Sequence, residues 1–309
     1  MRGMELMGTP PLDRGVWGVV ATPFNGSTHD LDEGSLSRLV EHYEQIGVTG
    51  LTVLGVFGEA ASLSSEERRV VLETVVESGE LPLVVGATTL SAAPVIEEIE
   101  LAKQVVGDRM AGAMVQVNSG NPEVLARHLK AVHEATGVGI VVQDYPLVSG
   151  VRITDRALVA AVKSLPFIVA VKAEAPPTST SLPALTQALD VPVFGGLGGI
   201  GLLDELAGGS AGAMTGFSYP EGLIACVDAW QEGGYKAARE AFLPYLPLVN
   251  FEQQSGIALA IRKECLRQRG LILESSVRPP ANPLPGVLLD QLRRHLDAVE
   301  ASAPALVVS

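Results

Sequence analysis

The sequence has little of what disulfide-rich, membrane-spanning or secreted proteins require. Only two of its 309 residues are cysteines, Cys226 and Cys265. Their wide separation and lack of metal-ligand spacing predict free, buried thiols in a reducing compartment. No apolar run approaches the roughly 18 residues of a membrane span. The first eleven residues contain no continuous apolar segment, so we expect no secretory signal and a cytoplasmic protein.

Positive charge is also scarce. The chain has 22 lysine and arginine residues against 35 aspartate and glutamate residues, a net charge of −13. This excess of negative charge argues against nucleic acid or an anionic membrane as a partner. A small anionic substrate is still compatible with it, because the local potential in a pocket can oppose the net field.

The five histidines are scattered and lack ligand spacing with a carboxylate. We therefore predict no metal, and no cofactor. The histidines are His29, His42, His128, His133 and His295.

Short apolar segments alternate with amphipathic segments through most of the chain. The predicted strands are 16–22, 50–54, 83–87, 111–117, 138–142, 167–172, 191–194 and 211–214. The predicted helices between them are 32–46, 64–78, 91–105, 122–136, 154–164, 179–189 and 202–207. Alternation of this kind is typical of a parallel sheet, and about eight such units predict a (β/α)8 TIM barrel over residues 15–218.

The pattern changes after Pro220, where helical segments follow one another without strands. The predicted helices are 221–231, 235–246, 251–269 and 283–298. They predict a C-terminal helical extension over residues 219–300. We expect residues 1–14 to form a flexible lead and residues 301–309 a loose tail.

Lys172 stands at the end of the predicted sixth strand. The apolar run 167–171 leads directly into it. Burial disfavours the charged form of an amine, and a neutral amine is a nucleophile toward carbonyl groups. Lys172 is therefore a candidate Schiff-base lysine. The alternative is a strand-end lysine that reaches water or pairs with Glu174.

The carboxyl ends of the strands form the active-site face of a TIM barrel. Polar residues and glycines stand at these ends, so we expect several of them to meet at one mouth. The ends of the predicted strands contribute Thr22, Val56, Phe57, Gly58, Glu59, Gln143, Tyr145, Lys172, Glu174, Gly195, Gly196 and Met214.

Three motifs at these ends resemble the dihydrodipicolinate synthase / N-acetylneuraminate lyase family in position and order. They are Thr22-Pro23-Phe24, then Gly58-Glu59-Ala60 with the following segment 63–68 (Leu-Ser-Ser-Glu-Glu-Arg), and Lys172. The resemblance covers roughly residues 15–300. It implies a TIM barrel, a homo-oligomer that is usually a tetramer built from two dimers, and class I aldolase chemistry. By this resemblance Lys172 forms an imine with a 2-oxo acid.

The sequence departs from the synthase at several positions. Gln143 stands where the synthase has its relay tyrosine, and an amide cannot shuttle protons as a phenol can. Tyr145, two residues on, either takes over the relay or only packs. Val56 and Phe57 replace two hydroxyl residues, and Val148 replaces an arginine that holds the second substrate's carboxylate. The chain is therefore expected to be a divergent member and not dihydrodipicolinate synthase itself.

Four other polar residues have two possible roles each. Glu59 either accepts hydrogen bonds from loop amides or takes part in catalysis. Glu174 faces the same side as Lys172 if the strand is extended, and either influences the lysine or is a solvated or paired loop acid. Thr22 either hydrogen-bonds near the lysine or packs at the strand end. Asp144 either caps a loop or is catalytic.

The segment 196–201 (Gly-Leu-Gly-Gly-Ile-Gly) matches the G-x-G-x-x-G pattern. A dinucleotide site would require further strand–helix units after it, and only one strand follows. We interpret the segment as the loop after strand seven, where backbone amides could approach a substrate anion.

These observations predict a Schiff-base lyase, aldolase or dehydratase that acts on a 2-oxo acid such as pyruvate or a derivative of it. Lys172, Tyr145 and Gln143 are the predicted catalytic residues, and the other strand-end residues above are predicted to bind substrate. The apolar pair Val56-Phe57 favours an apolar or aromatic aldehyde partner. The alternatives are a catalytically silent member that binds a small metabolite and a nucleotide-dependent oxidoreductase. The choice between dimer and tetramer stays open.

Overall fold

The computed structural model describes residues 10–302. Eight parallel strands close into a barrel in chain order, with β1 paired to both β2 and β8. The predicted (β/α)8 TIM barrel is confirmed. The strands are β1 (Gly15–Val19), β2 (Gly50–Val53), β3 (Leu83–Ala87), β4 (Met110–Gln116), β5 (Ile140–Asp144), β6 (Ile168–Ala173), β7 (Val193–Gly195) and β8 (Gly212–Thr215).

Helices surround the barrel, and several begin at the residues that the sequence signals indicate. The Ser64 side chain accepts from Glu67 N while the Glu67 carboxylate accepts from Ser64 N, which forms a capping box. The barrel helices are α1 (Glu33–Gln45), α2 (Ser65–Glu77), α3 (Ala92–Val106), α4 (Pro122–Thr136), α5 (Pro146–Ser149), α6 (Asp155–Val162), α7 (Thr178–Ala188) and α8 (Leu202–Ala207). The four-residue helix α5 was not predicted.

Side chains alternate between the barrel interior and the layer beneath the helices. On β6, Ala170 belongs to the interior cluster, whereas Val171 and Ala173 pack outward against the helices. This alternation turns Lys172 and Glu174 inward, on the same side of the strand. The sequence of β6 therefore determines which of its polar groups reach the barrel mouth.

The helical extension is present but is divided differently from the prediction. It contains α9 (Pro220–Phe242), α10 (Leu246–Phe251), α11 (Ala258–Gln268) and α12 (Leu289–Ser302). The prediction of a continuous helix over 251–269 is wrong, because residues 252–257 are not helical and Gly256 has a left-handed φ of 81°. The last helix begins at Leu289 and not at residue 283, since Pro283 and Pro285 cannot continue a helix.

Part of the predicted lead is fixed to the barrel. Leu12 is buried, and its N–H donates to the carbonyl of Val169 at 3.1 Å. Arg14 donates to the carbonyl of Ser210 at 2.7 Å. Residues 12 and 14 of the predicted lead thus contact the barrel, whereas residues 1–9 of the lead and residues 303–309 of the predicted tail lie outside the described part of the chain. Within residues 10–302, no helix is both long and apolar enough to cross a membrane.

A buried ion pair joins the extension to the barrel. Lys263 on α11 is fully buried, and its ammonium group pairs with Glu59. It also donates to the Ser276 carbonyl at 2.7 Å and lies 4.3 Å from the centroid of the Phe24 ring. The other oxygen of Glu59 accepts from Arg278 N at 2.8 Å. Burial lowers the pKa of Lys263 to about 8, and the charge and hydrogen bond of Glu59 oppose this shift.

We predict that Lys263→Met lowers the free energy of unfolding by about 3–5 kcal/mol, because it leaves the Glu59 carboxylate buried without its charge partner. Chemical denaturation measures the effect. Lys130→Met is the control: Lys130 and Glu134 form an exposed pair, so a change within about 0.5 kcal/mol is expected. A loss below about 1 kcal/mol for Lys263→Met would contradict the conclusion that the buried Glu59 carboxylate needs Lys263 as its charge partner.

Candidate active site

A cavity of about 490 Å³ opens at the carboxyl ends of the strands. Its wall combines strand ends, the loops after β2, β5 and β7, and residues from the α10–α11 segment. Six predicted site residues line it: Val56, Phe57, Gln143, Tyr145, Lys172 and Glu174.

The centre of the cavity is an ion pair on β6 and the residue that follows it. Lys172 Nζ lies 3.1 Å from Glu174 Oε2, and both side chains are buried. Gln143 Nε2 on β5 donates to the same oxygen at 2.7 Å. Glu174 is therefore a buried lysine partner and not a solvated acid, and the Gln143 amide holds it in place.

The loop after β7 completes the support of Glu174. Leu197 N donates to Glu174 Oε1 at 3.2 Å. A Cβ atom at Gly196 would overlap the Glu174 carboxylate. A glycine at 196 is thus required for Glu174 to lie against the loop.

Three successive amides of this glycine-rich loop are already occupied by protein groups. Leu197 N binds Glu174, Gly198 N donates to Thr215 Oγ1 at 2.7 Å, and Gly199 N donates to the Gly196 carbonyl at 2.9 Å. The expectation that these amides approach a substrate anion is corrected. The glycines instead allow side chains to pack against the backbone.

The loop after β2 offers backbone donors. Within residues 10–302, the N–H groups of Val56 and Phe57 have no hydrogen-bond acceptor, although both residues line the cavity. The turn itself is closed by Gly58 N, which donates to the Gly55 carbonyl at 3.1 Å. Two successive free N–H groups are suited to a carboxylate.

Tyr145 lines the same cavity just after β5 and precedes helix α5. Burial raises the pKa of its phenol, and the Glu174 charge raises it further, while Arg262 lowers it. The phenol is therefore in its protonated form at neutral pH. A protonated phenol can donate a proton or a hydrogen bond.

The remaining predicted substrate-binding residues stand away from the cavity wall. Thr22 Oγ1 donates to the Gly58 carbonyl at 2.7 Å, which ties two strand ends together. Glu59 holds Lys263, and Met214 packs in the barrel interior. The residues outside the lining are Thr22, Gly58, Glu59, Gly195, Gly196 and Met214.

Several lining residues were missed by the sequence analysis. Thr52 and Thr215 could have been found, because each is a polar residue within a short buried strand. Thr215 lines the cavity, whereas the prediction named its neighbour Met214. Arg262 and Gln253 gave no local signal, since both lie in the segment 251–269, which was predicted to be one continuous helix.

Two carboxyl groups near the site have raised pKa values. Burial raises the pKa of Asp144 to about 6, with repulsion from Asp155 and Glu174 adding to it. Burial also raises the pKa of Glu205 to about 7, and Glu174 contributes. Both Glu205 oxygens are buried without a partner among the described residues, and they pack against Gly195. Asp144 Oδ1 also has no partner there, and nothing in this arrangement indicates a loop cap.

Among residues 10–302, no group of three or more potential ligands is arranged for a metal ion.

We predict a pH-dependent gain in stability for Glu205→Gln. Because the folded state binds the Glu205 proton more tightly than the unfolded state does, this carboxyl destabilises the fold progressively from pH 4.5 to about 7. The variant removes this loss and should be more stable above pH 7, by up to about 3 kcal/mol. Denaturation at pH 4 and pH 8 measures the difference from the unsubstituted protein. A difference in stability that does not change with pH would contradict a raised pKa of Glu205 in the folded state.

Known proteins resemble this chain along nearly its whole length. The model of the dihydrodipicolinate synthetase family matches residues 13–299. L-2-keto-3-deoxyarabonate dehydratase of Azospirillum brasilense is 32% identical over 309 residues, which cover 96% of this chain and 97% of that protein. The 4-hydroxy-tetrahydrodipicolinate synthase of Methanothrix thermoacetophila is 30% identical over 76% of this chain and 80% of that protein.

The solved structures agree with this relationship. The crystal structure of dihydrodipicolinate synthase from Rhodopseudomonas palustris has a TM-score of 0.85 at 28% identity, with 94% of this chain and 99% of that chain covered. The dihydrodipicolinate synthase of Thermotoga maritima has a TM-score of 0.84 at 26% identity, with 94% and 99% covered.

Proposed function

The chain belongs to the dihydrodipicolinate synthetase family and is a class I lyase, and from this premise we propose that it dehydrates a 3-deoxy-2-oxo acid through an imine on Lys172. The observation that carries the proposal is the 3.1 Å contact between Lys172 Nζ and Glu174 Oε2 inside the cavity. An amine beside a carboxylate provides both a nucleophile and a proton acceptor.

The first step forms the imine. The Lys172 amine attacks C2 of the 2-oxo acid, and loss of water gives a protonated imine. The free N–H groups of Val56 and Phe57 are suited to hold the C1 carboxylate. Glu174 accepts the two protons that the Lys172 ammonium group of the ion pair loses, one before the attack and one after it, and returns both to the carbonyl oxygen, which leaves as water.

The second step is the elimination. The protonated imine is an electron sink, so Glu174 can remove a proton from C3 and leave an enamine. The enamine expels the C4 hydroxyl group, which takes the proton from Glu174 and leaves as water. Hydrolysis of the resulting unsaturated imine releases the product and restores the Lys172 amine. The net change is the loss of one water molecule from the substrate.

Two observations favour dehydration over dihydrodipicolinate synthesis. L-2-keto-3-deoxyarabonate dehydratase is 32% identical to this chain, with 96% of the chain covered. In addition, Gln143 binds Glu174 instead of offering a phenol. Val148 supplies no cation for a second carboxylate. Together these features support Glu174 as the proton carrier, with Tyr145 as an additional hydrogen-bond donor.

We predict that Lys172→Ala abolishes both turnover and borohydride trapping of 2-oxo acids. Glu174→Gln should lose about 10²–10⁴-fold in kcat and form the trapped adduct more slowly but to the same extent, because the amide cannot carry protons during imine formation or from C3. Intact mass and peptide mapping locate the adduct, and product analysis distinguishes dehydration from cleavage to pyruvate. Turnover in Lys172→Ala would exclude the imine, whereas release of pyruvate would make the enzyme an aldolase.

We predict that Gly196→Ala lowers kcat by about 10- to 100-fold, because the added methyl group overlaps Glu174 and displaces it from Lys172. Steady-state kinetics measures this. Gly286→Ala is the control, since a Cβ there meets nothing within 4 Å. Unchanged kcat in Gly196→Ala would mean that the position of Glu174 does not matter for the reaction.

We also propose that the chain assembles as a homo-oligomer, either a dimer or a tetramer, as the resemblance implies. Light scattering of the purified protein distinguishes these states from a monomer.

A further inference from the structure

Arg262 brings a guanidinium group from the helical extension into the cavity wall. The residue lies on α11, and its Nε donates to Glu252 Oε2 at 3.1 Å. Its guanidinium carbon lies 5.7 Å from the centroid of the Phe57 ring. Glu252 is itself fully buried, so this contact fixes the guanidinium group in one orientation.

The terminal nitrogens of Arg262 are not used by the protein. Within residues 10–302, neither Nη atom has a hydrogen-bond acceptor. Gln253 Nε2 is buried and also lacks a partner in the described chain. Both groups pack against Gly198, where a Cβ atom would overlap them, and both line the cavity. We call Arg262 and Gln253 the distal donor pair.

The distal donor pair is connected to the reacting end of the cavity by the loop after β7. Gly198 contacts the pair, and its neighbour Leu197 binds Glu174, the partner of Lys172. A substrate held as an imine on Lys172 can therefore extend along this loop toward Arg262.

We propose that the distal donor pair determines substrate specificity by donating hydrogen bonds to hydroxyl groups at the end of the 2-oxo acid farthest from the imine; this rests on the imine chemistry proposed above. The Glu252 carboxylate already balances the charge of Arg262. The other polar residues at this end, Gln254 and Ser255, are uncharged. Neutral oxygen acceptors suit such a site better than a second carboxylate, which would bring unbalanced negative charge. The substrate class is thus a hydroxylated 2-oxo acid, that is, a sugar acid.

The test compares three ligands in borohydride trapping at Lys172. They are pyruvate, which has no distal end, a 3-deoxy-2-oxopentonic acid, which ends in hydroxyl groups, and 2-oxoglutarate, which ends in a carboxylate. The variants are Arg262→Lys and Gln253→Leu, and the second leaves the Arg262–Glu252 pair intact. Arg267→Lys, on the same helix but outside the cavity lining, is the control. Thermal unfolding verifies that each variant is folded.

In the unsubstituted protein, we expect half-saturation at a lower concentration of the pentonic acid than of 2-oxoglutarate. Each cavity variant should raise that concentration for the pentonic acid by about 10- to 100-fold, and for pyruvate by less than about threefold. If both folded variants raise the half-saturating concentration of the pentonic acid and of pyruvate by the same factor, the inference is overturned, while the imine chemistry is left intact. Preference for 2-oxoglutarate that is lost in Arg262→Lys would also overturn it, since the site would then bind a carboxylate. Failure of the unsubstituted protein to trap any ligand on Lys172 would instead refute the proposed function.

Discussion

The Glu174 carboxylate is the group on which the site depends. It is buried, and it binds Lys172 Nζ, Gln143 Nε2 and Leu197 N. Because a buried charge is costly unless it is paired and hydrogen-bonded, these contacts join β5, β6 and the loop after β7 into one rigid unit. Loss of any one of them would change the position of the carboxylate relative to the lysine. The amide of Gln143 therefore has a structural role, which is to orient the Glu174 carboxylate.

The helical extension is part of the site and not only an appendage. The Glu59–Lys263 pair anchors α11 to the barrel, and the next residue toward the N-terminus, Arg262, reaches the cavity. One helix thus provides both the attachment and a polar group at the substrate's far end. The break at residues 252–257 makes this possible, since it places Gln253 over the loop after β7. Substitutions in the extension can therefore change the substrate specificity of this fold without any change to Lys172 and Glu174.

The sequence alone predicted the barrel and the inward direction of Lys172 and Glu174, because both follow from local periodicity. It did not predict contacts between distant segments. Nothing near Thr22 or Glu59 indicates that their partners would be Gly58 and Lys263, and so both were expected at the cavity. The glycine pattern at 196–201 was interpreted through its amides, whereas the structure uses the missing side chains to seat Glu174, Gln253 and Arg262. The apolar pattern of 251–269 continues through a break that depends on Gly256 and on tertiary contacts of Glu252.

The most direct test of the account is hydrogen exchange at the carbon next to the imine. Pyruvate is incubated with the enzyme in D₂O, and loss of its methyl protons is followed by NMR. The account predicts rapid exchange with the unsubstituted protein, none above background with Lys172→Ala, and at least a 100-fold slower rate with Glu174→Gln. Exchange by Glu174→Gln at the unsubstituted rate would contradict the assignment of Glu174 as the base. Exchange by Lys172→Ala would contradict the imine itself.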